Sequence, residues 1–127
     1  GTKDLYQKRA TAHLVNVAVD IRDQTRREVE ESLRLSWRAY EMLSGQIPHL
    51  RKRVEASEAT YKAYTQQFKV GRRTLFVLLD ARSELFESRV DRTNAEYDHR
   101  YAQQRVLHSL GTLVSYFKSA SEQEFPG

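Results

Sequence analysis

From Tyr40 the apolar side chains fall at Tyr40, Leu43, Ile47, Leu50, Val54, Tyr61, Tyr64 and Phe68, with Ser57 the one polar residue in the series. The steps alternate between three and four residues. A 3.5-residue repeat keeps one stripe of a helix turned toward a partner helix, so this spacing predicts a coiled-coil seam. Upstream, Val29, Leu33 and Trp37 continue it in four-residue steps, so the register is expected to drift there. Pro48 lacks an N–H and its ring presses on the preceding turn, and Gly45 weakens the same region. The seam keeps its phase across both, which predicts a bend near residues 44–48 and not a stop. Val15–Ile21 alternates like a short strand, but Leu14, Val17, Ala18 and Ile21 also fit one helix face. With no second strand to pair with, helix is the expectation.

A second helix is predicted from about Leu75 to Phe117. Its stripe is looser: Leu75, Leu79, Phe86, Val90, Tyr97, Tyr101, Leu107, Leu110 and Val114. Arg82, Arg89, Thr93, Arg100 and Gln104 occupy places where a strict seam would be apolar. Such a helix serves more than one neighbour or lines a wet space. Between the two helices lies Gly71. Glycine takes a positive φ without a Cβ clash and so ends helices, and Thr74 can cap the free N–H groups of the next one. The expected fold is all-α: an antiparallel two-helix coiled-coil hairpin over residues 1–117. One helix runs over about 3–69, the tip turn over 69–74 and the other helix over about 75–117. Residues 118–127 have no period and are expected to fray.

At 39% hydrophobic and 30% charged residues, with a mean hydropathy of −0.72, the chain is too lean for a large globular core. That composition suits long helices with one narrow apolar stripe. A helix of this first length would extend on the order of 100 Å, and an isolated pair of such helices is marginal. The aromatics Tyr40, Tyr61, Tyr64 and Phe68 exceed what one partner helix covers, so self-association is expected. The net charge of +4 is spread among acids, as in Arg51-Lys-Arg-Val-Glu55, and argues against a nucleic-acid face. No apolar run reaches the ~20 residues that span a bilayer, and no signal-peptide pattern opens the chain. Cysteine is absent, which removes disulfides and thiolate metal sites.

Enzyme chemistry finds little to work with, and neither a cofactor nor a metal is expected. His13, His49, His99 and His108 are scattered, without metal-ligand spacing, and are expected on the surface. Glu84 and Glu87 lie a turn apart and read as paired surface acids. Gly71 stands alone, with no glycine-rich phosphate loop around it.

One family has this pattern. Phe68-x-Val-Gly-x-Arg-Thr-Leu-x-x-Leu-Leu-Asp-Ala81, then Glu84-Leu-Phe86, Ala95-x-Tyr-Asp98 and Leu107-x-x-Leu-Gly-Thr-Leu113, resembles the C-terminal half of TolC-like outer-membrane efflux and type I secretion proteins. The resemblance covers roughly Leu33 to Leu113. It implies a homotrimeric duct, with a β part in the outer membrane and helices forming a periplasmic α-helical barrel. This chain would supply a hairpin of the second half of each protomer, a piece of something larger.

The resemblance also implies partners and sites. Val70, Gly71, Arg72, Arg73, Thr74 and Leu75 form the tip that a periplasmic adaptor (membrane fusion) protein engages, and the adaptor leads to an inner-membrane transporter. Phe68, Arg73 and Asp80 correspond to entrance positions. Asp80 matches an aspartate at the tunnel constriction, and Arg73 matches an arginine that latches neighbouring hairpins. The family's usual tyrosine partner of that arginine is Phe68 here, and Val77 stands where a second acid is often found, so the latch and a two-ring acidic gate depart from the pattern. The alternative, from another class, is a coiled-coil adaptor or scaffold that only holds partners together.

Overall fold

A computed structural model describes residues 1–124 and contains two helices, α1 (Thr2–Lys69) and α2 (Leu75–Glu124). They pack against each other as an all-α hairpin, and no strand occurs among the described residues. Val15–Ile21 is helical, and α1 continues unbroken through Gly45 and Pro48.

The chain divides into two compact units, each with a segment of both helices. The unit from Trp37 to Gln104 holds the tip. Its α1 seam is the expected one: Leu43, Ile47, Val54 and Ser57 are buried, and Tyr40, Leu50, Tyr61 and Tyr64 are half-buried. The one lapse is Phe68, still 39% exposed next to the turn.

What α2 offers this seam differs from the expected stripe. Its inward positions are Leu78, Ala81, Leu85, Ser88, Arg92, Ala95, His99 and Ala102, again in steps of three and four. Half of these residues are small: Ala81, Ser88, Ala95 and Ala102. Large side chains of α1 pack over the small ones of α2, as Leu43 and Ile47 do with Ala95 and Ala102. Ser88 is the extreme, at 0% exposure, with its hydroxyl donating to the Leu85 carbonyl. The stripe of Leu75, Leu79, Phe86, Val90, Tyr97 and Tyr101 faces away from α1 and is exposed. Bulk misled the sequence reading: in a close-packed pair the contact face can be the one with the smallest residues.

Ion pairs flank the seam. Arg53 of α1 reaches Glu84 through Nε (3.0 Å) and Asp91 through Nη1 (2.7 Å), and across the other edge Arg89 meets Glu58 and Arg51 meets Glu96. The hydrogen bond to Glu84, then that to Asp91, raises the Arg53 guanidinium's pKa above its ordinary value. A raised cation pKa gives stability that is complete below the ordinary value and lost only as pH rises through an alkaline range. The pairs are solvated, so they fix register more than they add stability. Arg53→Met should lower the Tm slightly at low ionic strength, and the difference from wild type should shrink in high salt, as thermal scans would show.

The other unit comprises Gly1–Ser36 and the chain from Arg105 onward. Here Ser36, Val106 and Ser109 are buried, and Val29 and Leu33 half-buried. Trp37 does not continue the seam. Ser36 does, three residues after Leu33 and four before Tyr40, and with it the expected drift between Leu33 and Tyr40 disappears. Arg105 Nη2 donates to Ser32 Oγ at 3.0 Å. The predicted frayed tail is corrected over residues 118–124, which continue α2. Tyr116, Phe117 and Ala120 border Arg22, Asp23 and Arg26, and Arg22 Nη1 donates to Gln123 Oε1, which gives this last stretch a partner. Residues 125–127 of that tail lie outside the described residues. Residues 1–20 of α1 are exposed, Leu14, Val15 and Val17 included.

Candidate functional site

The tip is built by two capping devices. At the end of α1, Gly71 N donates to Phe68 O (3.0 Å) and Arg72 N to Gln67 O (2.8 Å), a pair of reverse bonds that satisfies the last carbonyls of the helix. This geometry needs the left-handed backbone, and Gly71 has φ of 74°. Thr74 then opens α2: its Oγ1 accepts from Val77 N at 3.3 Å and its carbonyl accepts from Leu78 N at 3.2 Å. Both roles were legible from residue type and spacing.

The two arginines of the tip behave differently. Arg73 folds back onto α1: its guanidinium lies 4.2 Å from the Tyr64 ring centroid, and its Nε donates to Gln67 Oε1. Tyr64, one turn before Phe68, holds this arginine through the face of its ring. Arg72 remains exposed, with no side-chain partner among the described residues. The most exposed apolar group is Phe76, at 81%, and with Val70 and Leu75 it makes an apolar tip around Arg72. Phe76 was not singled out from the sequence, although a phenylalanine two residues past an N-cap, off the seam period, was the available signal.

Beyond the tip, α2 carries separate faces. Asp80, Glu84, Glu87, Asp91 and Asp98 follow one another in helical steps, with Asn94 the only neutral residue in the row. Asp80 is exposed on this row and not in the seam, so it has no burial cost to meet. Arg82, Arg89 and Arg100 lie on the opposite flank, and the outward apolar stripe runs beside them. A helix with one partner needs only one such face.

His99 is the histidine that is not at the surface. It takes a half-buried seam position between Ala95 and Ala102 and stacks on Tyr40 with ring centroids 4.7 Å apart, while Tyr40 stacks in turn on Trp37. Its Nε2 lies 2.9 Å from Ser44 Oγ. A groove of about 430 Å³ opens beside this pair, bordered by Pro48, Arg51, Glu96 and Arg100. The Ser44–His99 contact has the spacing of a nucleophile and base. The groove lies between helices whose backbone N–H groups are tied to their own carbonyls, so it has no cradle of free N–H groups for an oxyanion. Among the described residues, no three histidines or acids converge as a metal site.

Compared with family models, with characterised proteins and with solved structures, the chain matches none of them.

Proposed function

We propose that this chain is a periplasmic hairpin of a TolC-like outer-membrane export duct, in a drug-efflux or type I secretion system. The observation that carries this reading is the division of α2 into a small-residue seam, an outward apolar stripe and an exposed acidic row. A coiled-coil scaffold needs the seam alone. A wall segment of a helical tube needs a partner in its own hairpin, a neighbouring hairpin at its side and a face toward water. On this reading the acidic row, with Asp80 nearest the tip, faces the aqueous path and favours cations there. The apolar stripe meets the next hairpin of a homotrimer. The tip residues Val70, Gly71, Arg72, Thr74 and Leu75, joined by Phe76, meet the periplasmic adaptor, with the inner-membrane transporter beyond it. Arg73 serves the tip from within by pinning it to Tyr64, and Phe68 packs beside the entrance.

The test uses the full-length parent protein in cells. Arg72→Glu with Phe76→Ser removes the exposed charge and the exposed ring without touching Gly71, Thr74 or the Arg73–Tyr64 contact. Export and adaptor cross-linking should both be lost while the parent protein still assembles. Normal export by this variant would overturn the tip as the docking surface. Failure of the parent protein to reach the outer membrane would overturn the duct reading itself.

A further inference from the structure

We propose that the groove beside Ser44 and His99 binds a flat aromatic carboxylate that carries a hydrogen-bond donor at its far end. The site lies within the tip-bearing unit, and it does not depend on the duct reading.

The first ground is the groove's size and surface. At about 430 Å³ it falls within the range of small-molecule sites. Tyr40, Ile47 and Pro48 give it apolar walls, with Ile47 only 7% exposed. The rings of Tyr40 and His99 lie within 22° of parallel, and Trp37 stacks on Tyr40 in turn. This stack holds Tyr40 and His99 in place before any ligand arrives, so binding does not have to order them. A planar aromatic body suits such walls better than a flexible chain does.

The second ground is charge. Two arginines and one carboxylate border the groove, Arg51, Arg100 and Glu96. Glu96 is engaged by Arg51 Nε at 3.4 Å, whereas Arg100 is exposed and has no partner among the described residues. Two members of the acidic row, Glu84 and Asp91, pair with Arg53 at the other edge of the seam. The charge left open in the groove is therefore a guanidinium. Its planar fork takes a carboxylate through two parallel hydrogen bonds.

The third ground comes from Pro48. In an α-helix the Ser44 carbonyl accepts from the N–H of residue 48, and proline has none. α1 nevertheless continues through Pro48, so this carbonyl points along the helix at the pyrrolidine ring without its helical donor. Ser44 and Pro48 both border the groove, which puts the carbonyl on its α1 wall. The Ser44 hydroxyl is already engaged with His99 Nε2 at 2.9 Å. The groove thus offers a cationic donor on α2 and a neutral acceptor on α1. A carboxylate on Arg100 and an O–H donated to the Ser44 carbonyl would span it from one helix to the other. A hydrocarbon would use neither group, and an organic cation would meet Arg100 with the wrong sign.

The probe is para-hydroxycinnamate, followed by isothermal titration calorimetry on the 127-residue chain. It should bind saturably, one molecule per chain, and more weakly as ionic strength rises. Arg100→Gln should lower the affinity about tenfold or more, as loss of a charge-assisted pair does. Arg82→Gln, beside Phe86 on the same flank of α2, should leave it unchanged. Pro48→Ala returns an N–H to the Ser44 carbonyl and favours helix, so the hairpin should stay folded by circular dichroism. The wild-type chain should prefer para-hydroxycinnamate to cinnamate by roughly threefold to tenfold, and in Pro48→Ala the two should bind alike. No saturable binding at millimolar concentration would overturn the proposal, as would equal affinity in Arg100→Gln. A loss in Arg82→Gln would place the compound on the outward stripe and overturn it too. A preference for the hydroxyl that survives Pro48→Ala would remove the Ser44 carbonyl as the second contact. Tighter binding of cinnamylamine than of cinnamate would mean that Glu96 sets the sign of the groove, against the proposal.

Discussion

Ser88→Leu should destabilise the hairpin by about 1–3 kcal/mol, the usual cost of forcing extra methylenes into a closed contact. Ser88 is fully buried in the seam that α2 turns toward α1, and Ala81 and Ala95 are buried two seam steps away on either side. A leucine there must push the helices apart or twist out of its rotamer. Two residues earlier, Phe86→Ser should do the reverse: thermal unfolding at low protein concentration should change little, because Phe86 is 68% exposed and lies off the seam. Conventional reasoning ranks the two changes the other way, since serine to leucine adds apolar area and phenylalanine to serine removes it. Paired thermal scans by circular dichroism decide the matter. A stable Ser88→Leu variant beside an unstable Phe86→Ser variant would mean that α1 packs on the opposite face of α2.

Gly71→Val should open the tip, at a cost of about 1–3 kcal/mol for a β-branched residue held at positive φ. The cost is purely one of backbone conformation, because a Cβ at this position meets no atom within 4 Å. Size is therefore not the variable, and the expected order of stability is Gly, then Asn, then Ala, then Val, as left-handed preference dictates. If strain is relieved by unwinding the last turn of α1, the bonds from Gly71 and Arg72 to Phe68 and Gln67 are lost, and Arg73 loses its place over Tyr64. Amide exchange at residues 67–74 measures this directly. Equal protection in the Gly and Val forms would show that the turn does not depend on the left-handed residue.

Some elements were legible because their signals are local. Gly71 and Thr74 act through their own backbone and hydroxyl, so residue type and position sufficed to place the turn. The α1 seam was legible because its residues are large and regularly spaced. The contact of Arg73 with Tyr64 was not legible, because it forms only once the turn has folded the chain back. His99 was misjudged for a similar reason: its contacts, Ser44 and Tyr40, belong to the other helix. The tail was expected to fray because the residues from Lys118 onward show no periodicity, and over 118–124 it stays helical alongside Arg22 of α1.

By itself, then, the sequence determined two helices, the position and capping of their turn, and the face that α1 turns inward. These follow from short-range sterics and from a 3.5-residue pattern of bulky groups. Only the tertiary structure decided which face of α2 meets α1. Periodicity reveals that a helix has apolar stripes, but not which stripe its partner selects. That choice depends on how closely two backbones can approach, and here the small residues Ala81, Ser88, Ala95 and Ala102 won over Phe86, Val90 and Tyr97 because they let the large side chains of α1 fill the space between.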